Sequence, residues 1–250
     1  MSFVRRTALL LGLASIAVSG GCVTNDISLV ITEFVPLIDG ACGADPASMT
    51  LVSRGVYDVG VGSGLGLGYT VGFIVKNNLS TMSGVAVDTQ VFFVESYDVE
   101  LEVPTALQPA IPIDQRSFNV PTATARIAPA GAIGTHLPVF TPKQVLAMAS
   151  IPDTLGGFGD LLVHIRPIAT RAEEQHTFAA ATFPLEVCNG CLSGGTLGRS
   201  CAALPAKGSP YHKGNSCNLA ADEAVDCCVN AGQLFCGTDI EQFMKAPASP

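Results

Sequence analysis

The chain has 250 residues, a formal net charge of −8, 14% charged residues, 26 glycines, no tryptophan and a mean hydropathy of +0.42. That length allows one good-sized core plus an appendage. Arg5-Arg6 is the one adjacent pair of basic residues, so binding through neutralised phosphates is not expected and nucleic acid is excluded as a partner.

The N-terminus comes first in chain order. Arg5 and Arg6 precede the apolar run Ala8–Val18 (ALLLGLASIAV), a charged region followed by a hydrophobic stretch of signal-peptide length. The run is too short to cross a bilayer as a helix, and no later segment reaches about 18 apolar residues. Residues 1–21 therefore read as a signal peptide, whose removal leaves the remainder two charges more negative. Two cleavage points fit. Ala17-Val18-Ser19 has the small-x-small pattern of an ordinary signal peptidase site, which would release a soluble protein. Gly20-Gly21-Cys22, with Ser19 where an aliphatic residue is usual, resembles the end of a bacterial lipobox. The resemblance covers the leader alone. It implies that Cys22 carries a diacylglyceryl thioether and becomes the first residue of a lipid-anchored protein. Val23 is not the aspartate that retains enteric lipoproteins in the inner membrane, so the resemblance implies the outer membrane of a Gram-negative cell. Arg5-Arg6-Thr7 also loosely resembles a twin-arginine signal. The general secretory route is the expected one, because a disulfide-dense chain exported folded would have to fold reduced in the cytosol.

Residues 22–187 read as an all-β domain. In Gln90–Val103 (QVFFVESYDVELEV), Val91, Phe93, Tyr97, Val99, Leu101 and Val103 fall on one face, with Glu95 as the exception. Asp98, Glu100 and Glu102 share the other with Phe92 and Val94. Period two with a wet face marks a half-buried antiparallel strand. Similar runs predict strands at Ile27–Val35, Met49–Val59, Tyr69–Lys76 and Val85–Phe93. Asp160–Ala169 and Thr177–Val187 predict a hairpin around the polar turn Thr170–Gln175. Arg116–Val120 and Ala123–Ile127, bounded by prolines, read as short edge strands. One short helix is predicted at about Pro142–Ser150, bounded by Pro152. Thr141 stands at its N-cap, Pro142 at N1 and Gln144 at N3, a capping box, with Phe140 and Val145 placed as a hydrophobic staple. The glycine run Gly60–Gly68 (GVGSGLGLG) puts glycine on every even position. It contains no G-x-G-x-x-G and no following Gly-Lys-Ser/Thr, so it reads as a flexible loop or glycine-rich strand edge. Seven or eight strands with Pro-rich connections predict an immunoglobulin-like antiparallel β-sandwich, by analogy of architecture alone.

The composition changes at Cys188. Residues 188–250 hold seven of the nine cysteines and few large apolar side chains, so cross-links must supply what a core cannot. Ala220–Asn230 reads as a helix with acidic residues in its early turns. Nine is an odd number. If Cys22 carries lipid, the remaining Cys42, Cys188, Cys191, Cys201, Cys217, Cys227, Cys228 and Cys236 suffice for four disulfides, and at least one tail cysteine must then reach Cys42 in the body. Adjacent Cys227 and Cys228 are expected to go to different partners.

Candidate chemistry is sparse. Cys188-Asn189-Gly190-Cys191 is a C-x-x-C pair, but it follows a strand in an all-β context and no second pair stands at zinc spacing. Leu192 occupies the place of the histidine that covalent haem attachment needs. His136, His164, His176 and His212 are scattered, and His164 alternates with Arg166 on the outer face of one strand. Glu100 and Glu102 read as a solvated face, and no hydrolase or metalloprotease signature occurs. The expectation is a non-enzymatic, lipid-anchored envelope protein that acts as a binding or structural module, with no cofactor or metal. Its partners would be the membrane and an envelope protein or polysaccharide. The alternative, from a different class, is an envelope thiol–disulfide or metal-handling protein using Cys188 and Cys191 with His212.

Overall fold

The computed structural model describes residues 27–81, 90–151, 158–194 and 197–245. The leader with Cys22, residues 85–89 of the strand expected at Val85–Phe93, and Pro152 lie outside the described residues. Strands β1 (Leu29–Val35), β3 (Thr70–Asn77) and β6 (Ala132–Pro138) form an antiparallel sheet in the order β1-β3-β6. Strands β2 (Gly55–Asp58), β4 (Phe92–Glu102), β5 (Ser117–Ile127), β7 (Gly159–Arg171), β8 (Glu174–Thr177) and β9 (Ala181–Cys188) form a larger one. Its order is β2-β9-β7-β4-β5, with β8 also on β7. All its pairings are antiparallel except β2 with β9.

The two sheets face each other across one core, the sandwich that the alternating patterns call for. Phe73 of β3 meets Tyr97 of β4 edge-on at 5.2 Å, and Phe34 of β1 lies 4.8 Å from Phe183 of β9. In β7, Leu161, Val163 and Ile165 are fully buried while Asp160, His164 and Arg166 face out. Each such apolar side chain contributes about 1.5–3 kcal/mol by leaving water. Asn77 closes one end, donating from Nδ2 to the Gln90 and Ile127 carbonyls at 2.8 and 3.2 Å.

Several boundaries differ from the sequence expectations, each for a local reason. In β4 the register shifts between Val94 and Ser96 against both neighbours: against β7, Glu95 is the extra residue of a bulge, whereas against β5 the excess lies on β5, where residues 122–124 stand against Glu95 alone. The bulge inverts the phase: Phe92 and Val94 point inward before it, and Tyr97, Val99 and Leu101 after it, leaving Phe93 40% exposed. The expected inward position of Phe93, and outward positions of Phe92 and Val94, are thereby corrected. The strand expected at Met49–Val59 shrinks to β2, and Met49 and Leu51 stand in solvent. The two pieces expected around Pro121 are one strand, β5. It forms the edge of its sheet, where a residue without an N–H is tolerated. The β7–β8 turn is the two residues Ala172-Glu173, both at positive φ (49° and 68°), as a tight hairpin requires.

The glycine run is a helix. Helix α1 (Val59–Leu65) starts on Asp58, whose side chain accepts from the Gly60 and Val61 amides, and it ends on Gly66 in the left-handed conformation at φ 70°. The even spacing serves packing: a methyl group at Gly62 would overlap the Tyr57 hydroxyl, and one at Gly64 would overlap Leu234 of the tail. Helix α2 (Pro142–Ala149) carries the capping box, with the Gln144 amide donating to Thr141 Oγ1 at 3.3 Å and the Thr141 amide to Gln144 Oε1 at 2.8 Å. Among its described residues the body thus holds two short α-helices where one was expected.

The tail runs back over the α1 end of the sandwich, cross-linked by Cys42–Cys217, Cys188–Cys191, Cys201–Cys228 and Cys227–Cys236. The helix expected at Ala220–Asn230 is absent. Ala221 bridges to Tyr57, Asp222 has φ 63°, and Cys227–Asn230 forms strand β10, which pairs with β11 (Gln233–Cys236). Neighbouring cysteines whose sulfurs leave in opposite directions suit a strand, where successive side chains alternate, and not a helix.

Candidate functional site

Two constellations follow from this frame. The first surrounds Asp58, the fully buried last residue of β2. Its Oδ1 accepts from the Gly60, Val61 and Gly190 amides at 3.0, 3.3 and 2.8 Å. Its Oδ2 accepts from Leu192 and Ser193 at 2.9 and 3.4 Å. The parallel pairing Asp58↔Cys188 brings the C-x-x-C turn to the carboxylate. Among the described residues, Asp58, Cys188 and Cys191 are the one group of three potential ligands whose donor atoms lie within 4.8 Å of one another. The cysteines are joined to each other, and the five amides fill the acceptor capacity of the carboxylate. Chemically the cluster pins the start of α1 and the first turn of the tail to one buried charge. His212 is not part of it: its Nδ1 lies 3.5 Å from Asp226 Oδ2, on an exposed side chain.

Further polar contacts hold the tail to the body. Asn218 exchanges two hydrogen bonds with the Thr70 backbone, at 3.3 and 3.1 Å, in the manner of a strand partner. Ser216 donates from both backbone and side chain to Asp39, which lowers the Asp39 pKa below the usual carboxylate value. Asp222 as a residue is exposed, yet its carboxyl turns inward. It accepts from Tyr69 Oη at 3.0 Å and from the Val56 amide at 2.9 Å. Burial raises the Asp222 pKa above the ordinary value, with the Glu223 charge adding to it and these two hydrogen bonds opposing it. Burial, and then the Asp222 charge, raise Tyr69 as well.

The second constellation is the outer face of the large sheet. Register aligns Asn119, Asp98 and Arg166 in one cross-strand row, and Ser117, Glu100, His164 and Thr182 in the next. Glu102, Leu162 and Pro184 follow. Asn119 Nδ2 donates to Asp98 Oδ1 at 2.9 Å and Ser96 Oγ at 3.0 Å. His164 Nδ1 lies 2.8 Å from Thr182 Oγ1, and its Nε2 lies 3.7 Å from Glu102 Oε2. Arg54 bridges Asp160 and Glu186 at 2.6 and 2.9 Å in the last row. No hydrogen bond or ion pair among the described residues engages the Arg166 guanidinium or the Glu100 carboxylate, and both front an open groove of about 370 Å³. A second groove of about 340 Å³ adjoins it and shares Glu100, Ser117 and His164.

The sequence marked His164, Arg166, Glu100 and Glu102 as an outward face, and the sheet gathers them with Asp98 and Asn119. It does not gather the histidines: His136, His164 and His176 stand on β6, β7 and β8, and His212 in the tail. Asp58 and Asp222 escaped the sequence reading. For Asp58 a signal existed, an aspartate just before a short run that begins Val59-Gly60, which is an N-cap pattern. For Asp222 none did. No protein-family model matches the chain, and no curated protein matches it in sequence.

Proposed function

We propose that this is a lipid-anchored cell-envelope protein that acts non-enzymatically, displaying a ligand-binding β-module close to the outer membrane. One observation carries the reading. The eight cysteines beyond Cys22 pair among themselves in four disulfides, so Cys22 has no partner to account for and is available for the thioether that the lipobox resemblance implies. Four disulfides also favour an oxidising, exported compartment. The chain enters the sandwich at Leu29, beside Asn77, and the tail caps the opposite end at Asp58 and Thr70. An anchor at Cys22 would hold the Asn77 end towards lipid and turn the tail outward, leaving the polar outer face of the large sheet open to the surroundings.

The test is the intact mass of the mature protein with and without reduction. The expected result is a chain beginning at Cys22, heavier by a lipid, that gains eight hydrogens on reduction. An unlipidated chain beginning at Gly20 would overturn the anchor.

The proximity of Asp58 to Cys188 and Cys191 favours one second reading, thiol–disulfide exchange or metal handling at that pair. Thiol titration of the denatured mature protein, with metal analysis, separates the two. Two or more reactive thiols, or bound metal, would support the second reading; their absence would leave the first.

A further inference from the structure

We propose that the outer face of the large sheet binds a neutral, hydroxyl-rich polysaccharide, across the rows Asn119–Asp98–Arg166 and Ser117–Glu100–His164–Thr182. This names the ligand class of the module and rests on the reading of the chain as an envelope binding protein.

The argument begins with charge. The chain is strongly acidic overall, at −8, and on this face the carboxylates Asp98, Glu100, Glu102, Asp160 and Glu186 are interrupted by the guanidinium groups of Arg166 and Arg54. Asp98 stands opposite Arg166, Glu100 opposite His164, and Arg54 spans Asp160 and Glu186. A polyanion would meet Asp98, Glu100 and Glu102 within the same groove that offers it Arg166. A polycation would have the Arg166 guanidinium in its path, opposite Asp98. A neutral polyhydroxyl chain is repelled by neither sign and is steered by neither.

Hydrogen-bond chemistry selects the same class. Each hydroxyl of a sugar both donates and accepts, so a surface that recognises several at once needs donors and acceptors interleaved. Arg166 supplies only donors and Glu100 only acceptors, Ser117 and Thr182 have hydroxyls that supply both, and Asn119, whose Nδ2 hydrogens go to Ser96 and Asp98, offers its Oδ1 as an acceptor. Arg166 and Glu100 have no partner among the described residues, so binding need not break an existing ion pair to use them. Neighbouring strands stand about 4.8 Å apart, on the scale of one sugar ring, so successive rings laid across the strands would meet β5, β4 and β7 in turn. The row beyond His164 brings half-buried Leu162 and Pro184 to the same face, an apolar strip for the C–H sides of the rings. The groove is open and shallow, unlike the enclosed, mostly apolar clefts that hold small apolar ligands.

The test uses mature protein in mild detergent. It is run through native gels containing dextran, mannan, xylan or a soluble β-1,3-glucan, with polylysine and heparin as charged probes in parallel. The expected result is retardation by at least one neutral polysaccharide, weakened at least tenfold in Arg166→Ala and in Glu100→Gln, and less in Arg166→Lys, which keeps the charge but loses the two-pronged donor. Thermal unfolding of each variant checks that these exposed substitutions leave the fold intact. Retardation by none of the four, retardation that neither substitution alters, or binding of polylysine or heparin alone would overturn the proposal. The two readings fail separately. An unlipidated mass with polysaccharide binding intact removes the anchor only, and a lipidated mass with no binding removes the ligand only.

Discussion

The body and the tail are held by different physics. The body keeps its shape through apolar burial: Phe73, Val75, Phe92, Val94, Leu161, Val163 and Ile165 are all fully buried between two sheets. The tail has its own cluster around Cys201, Cys228, Leu204 and Ile240, but it is cross-linked throughout and pinned to the body by side-chain amides and carboxylates. A region poor in large apolar residues can therefore be ordered, provided covalent links and buried polar contacts do the work that a core does elsewhere.

Substitutions should break this contrast in order of size. Phe73→Ala removes a buried ring from the middle of the sandwich and is expected to cost about 3–5 kcal/mol, read as a shift of the whole denaturant transition. If the shift is below about 1 kcal/mol, the body does not depend on that contact. The double change Cys201→Ser with Cys228→Ser is expected to cost about 2–4 kcal/mol, concentrated in the tail. Hydrogen exchange should rise in residues 197–245 and stay unchanged in β4 and β7; equal loosening of both would show that the two regions share one stability. The smallest effect is titration at the seam. The Asp222 pKa is raised in the folded state, so folding favours its protonated form and stability falls as pH rises from the ordinary carboxylate value through the raised one. Asp39 acts in the opposite direction, contributing above its ordinary pKa and losing that contribution as pH falls through its lowered one. Thermal unfolding between pH 3 and 7 should thus lose its Asp222 component in Asp222→Asn, and an unchanged profile would remove the carboxyl from the account.

How much of this was legible in the sequence depends on how local each determinant is. Helix α2 could be read because Thr141, Pro142 and Gln144 lie within one turn and carry their mechanism with them. β7 could be read because Leu161, Val163 and Ile165 alternate without interruption. The β4 phase could not, since Glu95 declares itself a bulge residue only when β7 pairs beside it. Helix α1 was hidden by its glycines, whose low helix propensity is outweighed by the Asp58 cap and by neighbours too close for a side chain. The tail helix was misread because the partners of Cys227 and Cys228 decide that segment, and eight cysteines allow on the order of a hundred pairings. The outer polar face was half legible: alternation put its residues outward, but strand order decided which of them became neighbours.

The bridge between Cys42 and Cys217 spans 175 residues of sequence, so most of the sandwich lies inside a covalent ring. A pull applied between the N-terminal side and the tail would cross from one arm to the other through that bond and leave strands β2 to β9 unloaded. β1 is the strand left outside the ring on the N-terminal side, and it would take the tension first. By the same geometry, one proteolytic cut between Cys42 and Cys217 would leave both pieces joined.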